Sequence, residues 1–136
     1  MKPVIQEEST GCAIASAAAV CGISYKEAKK IANDMGIFAD DTALWSETNY
    51  IRKLLKKLGV EIGKEEQPFK NWVALPDIAL LATKWHIEKG KTYWHWAVFV
   101  RDTEREYVLD SKKSLSTNMR TDFGRIKPKW YIEVSV

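Results

Sequence analysis

Two cysteines and two histidines are the groups best able to act as nucleophile and base in this 136-residue chain. Cys12 stands apart by its setting. It follows Thr10 and Gly11, a poor helix interior, and precedes Ala13 to Val20, almost all alanine or small apolar residues. A helix is therefore expected to begin at or just before Cys12. The first N–H groups of a helix lack partners and carry partial positive charge, which favours a thiolate over a thiol. Gln6, on the irregular segment ahead of it, carries an amide that can point back at the thiol. That amide and the Cys12 N–H can together hold the oxyanion formed when a thiolate attacks a carbonyl. The plain alternative is that Cys12 is a small buried hydrophobe, so its partners must decide.

His95 lies near the start of the apolar, aromatic run 94–100, and Asp110 near the end of 107–110. If Asp102 and Thr103 form a tight turn, residues whose numbers sum to 205 face each other and His95 stands opposite Asp110. Opposed residues share a sheet face with Cβ atoms about 5 Å apart, so the carboxylate can orient the imidazole as a base needs. Asp102 lies roughly 23 Å from His95 along an extended strand and is too distant. His86 is the rival base, because it ends the preceding strand and a hairpin brings it to the same sheet edge. A core histidine between Trp94 and Trp96 is the other reading of His95; alternation puts those tryptophans on the opposite face.

The elements that must position these groups follow from periodicity. Gly22 is the expected stop of the first helix, and Ser24 to Glu27 reads as a capping box for a second one running to about Met35 before Gly36. Residues 37–47 read as a loop. Ser46 or Thr48 can cap a third helix in which Ile51, Leu54, Leu55 and Leu58 recur at helical spacing before Gly59. Beyond residue 60 the pattern becomes β-like, with strands expected at 78–85, 93–100, 106–110 and 130–136. Turns are expected at 88–91 and 101–104. Helices first and sheet second is an α+β arrangement with the helices on one sheet face. One domain, 1–136, is expected, helical to about residue 60 and sheet from about 61.

Composition bounds the function. The net charge is only +3, with basic and acidic residues interspersed, so nucleic acid is not expected as a partner. The densest basic cluster, Arg52, Lys53, Lys56 and Lys57, reads as a solvated helix face. Cys12 and Cys21, nine residues apart on one helix, are separated by roughly 13 Å of rise and cannot form a disulfide. Free thiols suit a reducing compartment. Residues 11–23 resemble a signal-peptide core, but Glu7 and Glu8 reverse the expected charge ahead of it. No run is long enough to span a membrane, and a cytoplasmic location is expected, with export as an effector the variant. No metal or cofactor is expected.

Five segments together carry a resemblance. They are Gln6 with Gly11-Cys12-Ala13, the Cys-Gly-Ile-Ser-Tyr-Lys-Glu-Ala run at 21–28, Leu75 to Ala79, His95-Trp96-Ala97-Val98, and Tyr107 to Ser111. In order and spacing the chain resembles the papain-like bacteriocin-processing peptidases that cut leader peptides after a double glycine. The resemblance implies a papain-like fold, with Cys12 as nucleophile, His95 as general base and acid, Asp110 as its orienter and Gln6 as oxyanion donor. The implied substrate is a peptide or protein. Those peptidases usually form the first domain of a membrane transporter, and without a membrane segment coupled export is not expected here. A free-standing toxin or effector, a deamidase or acyltransferase using the same thiol, and a catalytically silent peptide-binding relative are the alternatives.

Overall fold

Helix α1 (Cys12–Cys21) runs through the main core, with every residue from Cys12 to Val20 buried. Its alanines permit this, since side chains so small leave room for neighbours on all sides at interior packing density. The helix stops at Gly22, whose left-handed backbone, φ 69°, turns its N–H onto the carbonyls of Ala18 and Ala19. Helix α2 (Tyr25–Asp34) opens with the capping box read from the sequence: Ser24 Oγ accepts from the Glu27 N–H at 3.1 Å, and the Glu27 carboxylate reaches the Ser24 N–H. Helix α3 (Asn49–Lys57) buries Tyr50, Ile51, Leu54 and Leu55. Thr48 precedes it without a side-chain cap; its hydroxyl donates to Glu66 instead, at 3.0 Å.

This computed structural model describes residues 1–41 and 46–135. The part of the expected loop from Thr42 to Trp45, and Val136 of the expected last strand, lie outside the described residues. The remaining elements are strands: β1 (Glu61–Ile62), β2 (Gln67–Pro68), β3 (Ile78–Glu88), β4 (Lys91–Arg101), β5 (Glu106–Leu109), β6 (Met119–Arg120) and β7 (Trp130–Ser135). They form an antiparallel sheet in the order β1-β7-β3-β4-β5-β6, with β2 also pairing with β7. Helices and antiparallel sheet together make a mixed α+β protein.

The register of the β4–β5 hairpin differs from the expected one. Arg101 pairs with Glu106 and Val98 with Leu109, so facing residues sum to 207 rather than 205. Asp102 is the cause. Its carboxylate accepts from the N–H groups of Glu104 and Arg105, both at 2.9 Å, and its own N–H donates to the Arg105 carbonyl. The turn therefore centres on Thr103 and Glu104, one residue later than expected. A displacement of two in the sum keeps the face of every side chain, so Asp110 remains on the His95 side as a diagonal neighbour rather than a directly opposed one.

Alternation along the strands divides the core. Leu80, Val98, Val100, Leu109, Ile132 and Val134 pack with the helices. Leu81, Ala97, Phe99 and Val108 face the other way, where Phe69, Trp72, Leu75, Phe123 and Ile126 cover them. The helices thus lie on one face, as expected, while connecting segments close the other. Among the described residues no helix is long and apolar enough to cross a membrane.

Candidate active site

Strand β5 pairs with β4 only as far as Val98, which leaves the β4 edge at His95 without a β5 partner. The chain after β5 stays close by, because the Asp110 N–H donates to the Asn118 carbonyl at 2.9 Å. The Asn118 amide in turn holds the carbonyls of Asp110 and Lys112 at 2.7 and 2.9 Å. Asp110 is thereby fixed just past the end of the strand. Its Oδ1 accepts from His95 Nε2 at 2.8 Å and from the Lys112 N–H at 3.2 Å. Its Oδ2 accepts from Arg120 Nη1 at 3.1 Å.

With Nε2 engaged by the carboxylate, Nδ1 is the ring nitrogen left to face Cys12, whose negative form beside the ring favours the charged imidazole. Burial disfavours the charged ring, but Asp110 and Cys12 outweigh it and push His95 up to about 9. Burial likewise opposes the Asp110 carboxylate, yet His95, the Lys112 N–H and Arg120 hold it down at about 2. The chemistry these groups can perform is proton exchange between a thiol and an oriented imidazole. Cys12 is 8% exposed and Asp110 3%, so the pair is largely shielded from water.

The loop ahead of Cys12 is built from its own side chains. The Tyr25 hydroxyl reaches the Glu8 carboxylate, which also binds Lys29. A Cβ on Gly11 would collide with the Tyr25 hydroxyl and lie 3.3 Å from Gln6 Cβ, so only glycine fits beside the thiol. Gln6 is buried at 5% exposure. Its Nε2 donates to the carbonyls of Glu8 and Ser9 at 3.0 and 2.9 Å, and its Oε1 accepts from Ser111 Oγ at 2.7 Å. The amide is thus turned towards its own loop, and it ties that loop to the residue after Asp110. The backbone repeats the tie, with the Gln6 N–H donating to the Ser111 carbonyl at 3.0 Å.

No family model, no curated protein and no solved structure matches this chain. The site must speak through its geometry. His86, the rival base, pairs with Tyr93 across the β3–β4 hairpin and stacks on its ring at 5.8 Å. Its Nδ1 meets the Lys84 carbonyl at 2.9 Å, its Nε2 lies 3.8 Å from Glu88, and the side chain is 56% exposed. Both histidines line a cavity of about 400 Å³ together with Lys84, Tyr93 and Trp94. Larger cavities, of about 600 and 680 Å³, include none of Gln6, Cys12, His95 or Asp110. Among the described residues no group of three His, Cys, Asp or Glu side chains could hold a metal ion.

Sequence reasoning missed Arg120, Ser111, Glu8, Tyr25 and Tyr50. Arg120 sits on a strand of two residues, too short to leave a periodic trace. Ser111 carried a signal only through its position after Asp110. Tyr50 is buried and accepts from Trp96 Nε1 at 2.8 Å; burial first, and the charge of Cys12 next, push its phenol up. Nothing in the spacing of Tyr50 separates it from the other core residues of α3.

Proposed function

We propose that this chain is a papain-like cysteine peptidase that cleaves a peptide bond through a thioester intermediate. The observation that supports the reading is the imidazole of His95 held by Asp110 at 2.8 Å, with Arg120 behind the carboxylate and Cys12 near enough for its charge to act on the ring. Cys12 Sγ as thiolate attacks the substrate carbonyl carbon, and the carbonyl π electrons move to oxygen. The Cys12 N–H, at the open end of α1, donates to that oxyanion in this reading. The Gln6 amide joins it on exchanging one of its two loop carbonyls for the substrate. The imidazolium of His95 protonates the leaving amine, the C–N bond breaks, and the acyl group stays on sulfur. Neutral His95 then takes a proton from water, hydroxide adds to the thioester, and the thiolate leaves with the carboxylic acid product. Leader-peptide processing is the biological setting in keeping with the sequence resemblance.

The test uses a Cys21→Ala background so that one thiol reports. Iodoacetamide should alkylate Cys12 rapidly at neutral pH, and His95→Ala should slow the reaction by about tenfold or more. Peptide hydrolysis should vanish in Cys12→Ala. Hydrolysis that survives in Cys12→Ala would overturn the reading. Incubation with a peptide and an added amine separates hydrolysis from acyl transfer, since a transferase would give the amide product.

The bond pattern of Gln6 favours one second reading, a peptide-binding protein without turnover, because both donors of its amide are committed to the loop. That protein would bind peptides with Cys12→Ala as well as with the natural residue, and would hydrolyse none.

A further inference from the structure

A second cavity, of about 390 Å³, adjoins the site on the Asp110 side, and its charge has one sign. Lys84, Arg120, Arg125, Lys127 and Lys129 line it around Trp85, and among the described residues none of its lining side chains is acidic. Arg120 is already engaged by Asp110 and, through both Nε and Nη2, by Asp122. Lys84, Lys127 and Lys129 form no ion pair among the described residues.

The lysines are presented by built structure rather than by a loose loop. The β3–β4 register breaks between Thr83 and His86, and Lys84 adopts a left-handed backbone, φ 51°, in that bulge. Bulges of this kind re-aim a side chain out of the strand's alternation. Lys129 is anchored by its N–H on the Ala82 carbonyl, and its ammonium stands 4.7 Å from the Trp85 ring. Partial burial and the neighbouring Lys112 ammonium lower the Lys84 amine. Asp110 and Asp122 offset part of this charge at Arg120, and the three lysines that form no ion pair among the described residues leave repulsion that a bound anion relieves. Lys84 also lines the His95 cavity, so the two hollows share a wall.

We propose that this basic hollow is a substrate subsite that takes acidic side chains, Asp or Glu, of a peptide whose adjoining segment lies in the His95 cavity. The inference rests on the peptidase reading for the word substrate; the binding itself does not. A peptide fits better than a nucleic acid, because the hollow is one pocket beside a candidate reaction centre rather than a stripe, and the chain carries a net charge of only +3. A nucleic-acid site relies on many backbone contacts along a basic surface.

The probes are short fluorescein-labelled peptides of Gly and Ser carrying three glutamates, three glutamines or three lysines, with binding read by anisotropy on Cys12→Ala protein. The glutamate peptide should bind about tenfold or more tighter than the glutamine one at low ionic strength. The gap should shrink as the Debye length falls from about 30 to about 8 Å. Lys127→Glu with Lys129→Glu, both on exposed positions, should abolish the preference, whereas arginine at both should keep it. Equal binding of the three peptides, or a preference untouched by the charge reversal, overturns the proposal. So does a single-stranded oligonucleotide that displaces the glutamate peptide at equal charge concentration. If Cys12 proves inert to iodoacetamide while the glutamate preference and its reversal hold, the anion site stands and the peptidase reading falls.

Discussion

Asp110 holds the imidazole of His95 and is itself held by Arg120, and this order of dependence fixes how the site responds to pH. His95 is raised from 6.5 to about 9 in the folded protein. Its contribution to stability is therefore complete below about pH 6.5 and is lost as pH rises through about 9. Asp110 is lowered from 3.8 to about 2. Its contribution is present above about pH 3.8 and is lost as pH falls through about 2. Asp110→Asn tests the coupling cleanly, because Arg120 keeps Asp122 as its partner. In that variant the His95 ring should titrate about 1 to 3 pH units lower, read by ¹⁵N NMR of the imidazole. A titration still near pH 9 would refute the assignment of Asp110 as its orienter.

Two of the three site residues sit at the ends of elements and one lies within a strand. The start of α1 delivers Cys12, the part of β4 that pairs with β3 but runs past β5 delivers His95, and the residue after β5 delivers Asp110. The junction before α1 is the tightest of these. Gly11→Ala should cost about 1 to 3 kcal/mol of unfolding free energy, measured by denaturant titration, because the new methyl displaces the Tyr25 hydroxyl from Glu8. In a Tyr25→Phe background the same change should cost less, and an unchanged cost would show that the collision is not its origin. The existence of all three helices and of β3, β4, β5 and β7 was legible in the sequence, because each has a cap, a stop glycine or an alternating run. The His95–Asp110 pairing was legible for a weaker reason: parity survives a two-residue error in register. Arg120, the Gln6–Ser111 tie and the closure of the second sheet face were not legible. They depend on long-range contacts among short segments, where no period of 2 or 3.6 has room to appear.

At the scale of the whole molecule the sheet binds distant parts of the chain into one cooperative object. Strand β7 pairs with β1, β2 and β3 at once, and its Ile132 is fully buried against the helices. Ile132→Ala should lower stability by about 2 to 5 kcal/mol. Unfolding followed by tryptophan fluorescence and by the His95 resonance should coincide, as in a two-state transition. A His95 signal lost well before the fluorescence would show instead that the site melts as a separate unit.

The place of β7 in the strand order also sets a timetable. Of the strands among the described residues it is the last in chain order, yet it lies between β1 and β3 rather than at an edge. While the chain is being made, β3 offers an open edge where β7 will dock, and apolar positions that Ile132 and Val134 will cover remain wet. The cysteine is synthesised ahead of His95 and Asp110 by some eighty to a hundred residues. Nascent chains therefore carry Cys12 before its imidazole neighbour exists, and β7 can join the sheet only after synthesis has passed residue 135. Such non-local pairing folds in milliseconds to seconds rather than microseconds, and for that interval the exposed β3 edge is the part of the molecule most in need of a chaperone.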